Sequence, residues 1–294
     1  MDNAPIVAVL GIGGQQNGAI ASAFANKGLR VRGIGRASAP PAGRSFLHDY
    51  RAVDPADHAG LAAALSGADV AVFTSPIDHR PGVRERLVDG FLAAASRAGV
   101  GRVVFNPAAS IFEDRTHPVA KVLGALSDAV LAGPVPANVV EPTVYMDNLM
   151  APWAVGGIVN DGVLAYPMPP EARVSYISHA SLGAFVHAAA VTPIVGRRFK
   201  IGGPEALTGA QLAEVLSATL GRPVVYRRIP PAALAEGLNA AFGAPAGDDI
   251  AALYTTMETQ PDVMRRDPSG WKELGVAPEP FAVWARRQAW PSPS

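Results

Sequence analysis

The sequence predicts an α/β protein, a doubly wound parallel sheet with a smaller α+β lobe at its C-terminal end. Three observations carry that reading. Short Val- and Ile-rich runs alternate with longer amphipathic stretches through the first half of the chain; this is the pattern of βαβ units, whose strands are buried on both faces. The first apolar run leads directly into a glycine-rich turn, Gly11-Ile12-Gly13-Gly14. After Asn148 the alternation breaks, and Pro152, Pro167, Pro169 and Pro170 interrupt the chain. Residues 1–150 are accordingly assigned to the sheet domain, with later segments near 174–201 completing its sheet. Residues 151–294 are assigned mainly to the lobe.

In order along the chain, Ile6–Leu10, Arg30–Ile34, Val70–Thr74, Arg102–Phe105 and Ala137–Val140 read as buried strands, with a weaker strand at Ser45–Tyr50. Each is a short run enriched in β-branched residues. Helices are expected at Gln16–Lys27, Ala56–Leu65, Gly82–Ala98 and Val119–Leu131; the first and third end in glycine stop signals, Lys27-Gly28 and Ala98-Gly99. In the second half, Val174–Ile177, Arg198–Ile201 and Val224–Arg228 read as strands. Helices are expected at Ser181–Ala190, from the N-cap Thr208 to Leu220 before Gly221, near Pro231–Ala241, at Asp248–Glu258 and near Glu279–Gln288.

Composition narrows the function class. Of the 294 residues, 49% are hydrophobic and 17% charged, so the chain buries a large core, with room for a subunit contact such as that of a homodimer. The 25 basic and 25 acidic residues cancel, which gives no bulk attraction to nucleic acid. Cysteine is absent, so disulfides, thiolate metal sites and cysteine nucleophiles are excluded. No His/Asp/Glu cluster has metal-ligand spacing. The first apolar run has no basic flank, and no segment approaches the roughly 20 apolar residues of a membrane span, so a cytoplasmic protein is expected.

The turn Gly11-Ile12-Gly13-Gly14-Gln15-Gln16-Asn17-Gly18 carries the chemistry. A dinucleotide's pyrophosphate needs backbone N–H groups aimed at it and no side chain in the way. Glycines at a strand-to-helix turn supply both, and the helix N-terminus adds favourable partial charge. This context makes the domain Rossmann-type and implies an NAD(P) site. Arg36, at the end of the second strand, stands where an acidic residue would bind the ribose of NAD. An arginine there suits the 2′-phosphate, so NADPH is expected to be preferred over NADH. The loop Ala37–Gly43 should border the cofactor, and Thr74-Ser75-Pro76 should line its trough at the end of the fourth strand.

Further blocks resemble one family. The glycine turn is similar to the Gly-Ala-Thr-Gly-x-x-Gly of the NmrA-like branch of atypical short-chain dehydrogenases, with Asn17 in place of the third glycine. Glu141-Pro142 and Tyr145-Met146-Asp147-Asn148-Leu149 resemble its Arg-Pro…Phe-Met-Glu-Asn-Leu segment. Ile201-Gly202-Gly203-Pro204, followed by Leu220-Gly221-Arg222-Pro223, resembles its C-terminal signature. The resemblance spans nearly the whole chain and implies Rossmann architecture and an NADP(H) cofactor.

It also implies site residues. Where such enzymes use Tyr four residues before Lys, this chain has His117-x-x-x-Lys121, one helical turn apart. Lys121 is thereby the candidate general acid/base or anchor of the nicotinamide ribose, and His117 a second catalytic candidate. Asn106-Pro107-Ala108-Ala109 replaces the usual serine-rich sequence, with Ser110 nearby. Asn106, Pro142 and Thr143 are expected at the cofactor, and Tyr145 faces nicotinamide or substrate. Ala52 stands near the family's adenine-binding Asp, and Gln15 where NADP-binding relatives carry a basic residue. His179 stands where the family commonly has Asp, and reads as a capping or packing residue. Met146, Met150 and Trp153 read as packing between lobe and domain, the alternative being an apolar substrate wall.

The expected function is hydride transfer from NADPH to a small, apolar and cyclic carbonyl, enone, imine or quinone. The rivals are a non-catalytic dinucleotide sensor, which the family also contains, and a non-redox isomerase or cyclase.

Overall fold

The computed structural model describes residues 4–76, 78, 80–109 and 117–293; Ser110 lies outside them. The first half runs β1 (Ile6–Leu10), α1 (Gln15–Ala25), β2 (Arg30–Gly35), β3 (Asp49–Ala52), α2 (His58–Leu65), β4 (Val70–Thr74), α3 (Val83–Arg97), β5 (Arg102–Asn106), α4 (Pro118–Leu131) and β6 (Ala137–Glu141). The second half holds a 3-10 turn (Met146–Met150), α5 (Pro152–Gly156), a π-turn (Gly157–Asp161), β7 (Val163–Tyr166), α6 (His179–Val191) and β8 (Arg198–Lys200). After these come α7 (Gly209–Leu220), β9 (Val225–Arg228), α8 (Pro231–Phe242), α9 (Ala246–Thr259), α10 (Ser269–Glu273) and α11 (Phe281–Arg287).

Seven strands form one sheet in the order β3-β2-β1-β4-β5-β6-β8. Every pairing in it is parallel. Because side chains alternate along a strand, β1 sends Val7 and Val9 to one face and Ala8 and Leu10 to the other. Val7 and Val9 join Phe24 of α1 and Phe185 of α6 in one core cluster. Ala8 and Leu10 join Leu61, Phe91 and Leu123 from α2, α3 and α4 in another. Both faces are covered, as a parallel sheet requires. A third cluster fills the lobe around Met146, Tyr166, Leu212, Leu238, Tyr254 and Trp284, beside the two-stranded parallel sheet of β7 and β9. Among the described residues no helix is long and apolar enough to cross a membrane.

Two expected strands are corrected, and one strand was not foreseen. The strand placed at Ser45–Tyr50 lies instead at Asp49–Ala52. Residues 44–47 turn first, with the Leu47 N–H donating to Arg44 O, and Leu47 packs over Gly33, so an apolar pair was spent on a turn rather than a ladder. The run Val174–Ile177 is not a ladder strand. It makes only isolated bridges, Val174 with Leu207 and Ile177 with Tyr145. Its backbone is a junction instead: Ile177 N–H donates to Val144 O, Met146 N–H to Ile177 O, Ser175 N–H to Met264 O, and Gly203 N–H to Ser175 O. The buried hydroxyl of Thr143 also donates to Ser175 O. Strand β7, absent from the sequence reading, follows the left-handed turn at Gly162 (φ 65) and pairs with β9. The signals at α7 are realised as read: Thr208 and Gln211 form a reciprocal capping box, and Gly221 ends the helix at φ 67.

Candidate functional site

The strand order reverses between β1 and β4, whose following connections pass to opposite faces of the sheet. In such sheets a crevice opens at the C-terminal ends of the strands. A cleft of about 1830 Å³ lies there, lined from the glycine turn through the end of β4 to the lobe helices α8 and α9.

Gly11 adopts φ 73, the left-handed region that glycine enters without strain, and a Cβ on it would stand 2.9 Å from Asn17 Nδ2. That glycine serves the turn itself. Gly13 and Gly14 differ: a Cβ on either would meet only ordinary contacts, 3.8 Å to Pro41 and 3.5 Å to Gly11 O. The room they leave therefore belongs to the cleft. Gly14 is the N-cap of α1, makes no side-chain cap, and no acidic residue follows in the first turn. The N–H groups of that turn are thus offered to a ligand rather than to the protein's own carboxylates.

Arg36 is exposed on the bend after β2, and both it and Arg44 line the cleft. Arg44 Nε donates to Ile12 O (3.4 Å), and its guanidinium rests on the first turn of α1 where a side chain on Gly18 would stand. The loop between them is fixed by Tyr50, whose hydroxyl donates to Ala37 O at 2.7 Å.

A polar network forms the floor. Thr74 Oγ1 donates to Asn17 Oδ1 (2.5 Å), and Asn17 Nδ2 donates to Gly11 O (3.1 Å). Asn106 Nδ2 and the Tyr145 hydroxyl both donate to Gln16 Oε1, at 3.0 and 2.9 Å. The network ties the glycine turn to the ends of β4 and β5 and to the segment after β6. Burial drives the Tyr145 phenol far above its ordinary range, so it stays neutral and acts as a hydrogen-bond donor. Ser75 Oγ is buried and bonds no group among the described residues. Ala108, also in the lining, holds φ 64, with its N–H donating to Asn106 Oδ1 (2.8 Å). Backbone strain of this kind concentrates at functional sites.

The opposite half is apolar and aromatic. Met150, Trp153, Tyr166, Leu234, Leu238 and Tyr254 line it. Trp153 is 40% exposed, 5.8 Å from the Tyr166 ring, and Tyr254 donates its hydroxyl to that of Tyr166 at 2.9 Å. Between the halves stand Asp147, His179 and Arg287.

The structure thus brings Gly11, Gly13, Gly14, Gln15, Gln16, Asn17, Arg36, Thr74, Ser75 and Pro76 together in one lining. Asn106 and Tyr145 lie directly beneath it. Pro142, Thr143, His117 and Lys121 are outside the lining. His117 is the N-cap of α4, with extended backbone and its ring accepting from the Val119 N–H, so it does not share a helical face with Lys121, which is exposed. Met146 is buried in the lobe core, whereas Met150 and Trp153 line the cleft, which divides a trio the sequence treated as one. Arg44, Ala108 and Asp147 were missed as site residues, and His179 was read as a capping or packing residue. For Arg44 a signal existed, its place just beyond the loop expected to border the cofactor. Among the described residues no group of His, Asp and Glu could hold a metal ion.

The profile of the NmrA-like family matches residues 4–269. An NAD(P)H azoreductase of Xenophilus azovorans is 28% identical over 232 residues, 74% of this chain and 78% of that protein. An NADPH-dependent quinone oxidoreductase of Escherichia coli, solved with NADPH, superposes with a TM-score of 0.76 at 19% identity, covering 95% of this chain and 98% of that one. The negative transcriptional regulator NmrA, solved with NADP, gives 0.77 at 15% identity, covering 98% and 95%. At these identities the two structures speak for the fold.

Proposed function

The chain belongs to the NmrA-like family, and from that premise we propose that it is an NADP(H)-dependent oxidoreductase passing hydride to a small, largely apolar electrophile, a carbonyl, enone, imine or quinone. The observation that carries this reading is the continuity of two unlike compartments in one cleft: the glycine turn with its arginines, and the wall of Trp153, Tyr166 and Leu238.

The residues fit the cofactor. Gly13 and Gly14 leave space that the protein's own packing does not need, and the start of α1 offers uncapped N–H groups to a pyrophosphate. Arg36 and Arg44 form a cationic end for a 2′-phosphate, which guanidinium groups bind through charge-assisted bonds. Ser75 Oγ is a buried hydroxyl available to the same ligand. When bound, the reduced nicotinamide supplies hydride. The chain's part is to hold the acceptor flat against the aromatic wall, exclude water, and stabilise the charge that develops on it.

The relatives agree: the azoreductase is named for reducing azo compounds and the Escherichia coli enzyme for reducing quinones. A regulator shares the fold, so fold does not separate the readings. A dinucleotide sensor has no need of a second, aromatic compartment, which favours the enzyme. The test is to incubate the protein with NADPH and a panel of quinones, azo dyes, enones and cyclic imines and follow NADPH absorbance. Oxidation of NADPH with at least one of them, saturable in that acceptor, is expected. Tight NADPH binding without oxidation by any acceptor would overturn the reading in favour of the sensor.

A further inference from the structure

His179 and Asp147 come from segments with no sequence proximity, yet meet at the boundary between the two halves of the cleft. His179 opens α6, whose cap is Ser178, and Asp147 sits in the 3-10 turn after β6. The two oxygens of Asp147 do different things. Oδ2 accepts the His179 backbone N–H at 2.8 Å, which anchors the carboxylate to the start of α6. Oδ1 lies 3.5 Å from His179 Nδ1. The ring is further held edge-on by Tyr145, with centroids 4.8 Å apart. The negative charge beside Nδ1 favours the proton on that nitrogen, which leaves Nε2 as the nitrogen that can exchange a proton with a ligand. Among the described residues no hydrogen bond engages Nε2. A histidine needed only for packing requires no carboxylate on its ring, and a helix start already capped by Ser178 requires no histidine.

We propose that His179, oriented by Asp147, is the proton donor of the reduction put forward above, its Nε2 protonating the acceptor heteroatom. The inference rests on the reductase reading. The bound nicotinamide would supply the hydride, giving up its C–H bond and becoming oxidised by two electrons as the electrophilic atom of the substrate gains that bond and is reduced. The π-electron pair of the acceptor bond moves onto its heteroatom. The Nε2–H bond of the imidazolium breaks as an O–H or N–H bond forms there, and the neutral imidazole regains its proton from water.

The charged surroundings set the sign of the pH dependence. Asp147 faces His179 from the 3-10 turn, and Arg287 of α11 lines the same cleft with its guanidinium paired to Glu279 at 3.0 and 2.7 Å. Helix α1 contributes only the uncharged Gln15 and Gln16, and the Tyr145 phenol stays neutral. Burial lowers the His179 pKa below the ordinary histidine value, and Asp147 opposes it. The reactive form is the imidazolium, so reduction should accelerate as pH falls towards that lowered pKa and level off below it.

Two measurements test this on the full chain. In the first, kcat/KM for an acceptor from the NADPH screen is followed against pH for wild type, His179→Gln and Asp147→Asn. Wild type should show one ionisation below the usual histidine range. His179→Gln should fall about 10²–10⁴-fold and lose that ionisation, as removal of a general acid does. Asp147→Asn keeps an oxygen for the α6 start and should shift the profile to lower pH. In the second, the His179 ring is titrated by NMR in the NADP-bound protein, with no turnover involved. Its pKa should lie below that of a free histidine and fall further in Asp147→Asn. If His179→Gln keeps the wild-type rate and profile, or if the ring titrates without regard to Asp147, the proton-donor proposal fails while the reductase reading stands. If wild type reduces no acceptor at any pH, it is the reductase reading that fails, and the donor with it.

Discussion

The two halves of the cleft are built in opposite ways. The nucleotide half is made of backbone: Gly11, Gly13 and Gly14 are consecutive or nearly so, and the start of α1 completes them. The acceptor half is made of side chains collected from the 3-10 turn, α5, β7, α8 and α9, among them Met150, Trp153, Tyr166, Leu234 and Tyr254. A backbone site is specified by what a residue lacks, and the absence can be seen in a few adjacent letters. A side-chain site is specified by which distant segments meet, and each contributing residue has an ordinary role when seen alone.

The sharpest way to break that contrast is to place a side chain in the backbone half. Gly14 sits at φ −74, ψ 151, extended backbone that valine adopts readily, and its Cβ would meet nothing closer than 3.5 Å. Gly14→Val should therefore leave thermal unfolding nearly unchanged and weaken NADPH binding by at least about 100-fold, some 2.7 kcal/mol, measured by calorimetry. Gly11→Ala should do the reverse. At φ 73, with Asn17 Nδ2 2.9 Å from the new methyl, it costs roughly 1–2 kcal/mol of stability before any ligand is involved. Should both variants lose stability alike, the space at Gly14 belongs to the fold and not to the cofactor.

A smaller effect is expected at the cationic end. Arg36→Ala and Arg44→Ala should each weaken NADPH by about 10- to 100-fold, the worth of a charge-assisted hydrogen bond, and leave NADH nearly unaffected. Equal losses for both cofactors would move these arginines away from the 2′-phosphate. The smallest effect belongs to Lys121. It is exposed on α4 and outside the cleft lining, so Lys121→Met should change cofactor affinity and kcat by no more than about twofold, within the ordinary reach of a surface substitution. A large fall in kcat would restore the role that the resemblance assigns to it.

These cases show why legibility was uneven. Strands β1, β2, β4, β5 and β6 were readable because burial on both faces leaves continuous Val- and Ile-rich runs. Residues 45–48 misled because Phe46 and Leu47 are apolar in a turn, their task being to cover Gly33 and the glycine loop. Val174–Ile177 misled because its burial comes from bridging the sheet domain to the lobe rather than from a ladder. In the site, the glycine turn could be read from its own letters, and Arg36 from its distance after β2. His179 could not: its function depends on Asp147, which the sequence separates from it by the whole of α5, the π-turn and β7.

The junction at residues 174–177 has a consequence for how the molecule comes apart. Its amides and carbonyls bond to the segment after β6, to Gly203 and Leu207 before α7, and to Met264 before α10. Neither half can open without releasing that strip, so the sheet domain and the lobe should melt as one cooperative unit. Hydrogen exchange reads this directly. The amides of Val174, Ser175 and Ile177 should exchange as slowly as those of central β1 and β4, through global unfolding alone. The same strip joins parts far apart in the chain, and such long-range closure is slow, so refolding should wait on the arrival of the C-terminal third. During synthesis the sheet domain would then emerge with its seam unfilled, and stay sensitive to proteolysis until residues 203–264 are free to dock.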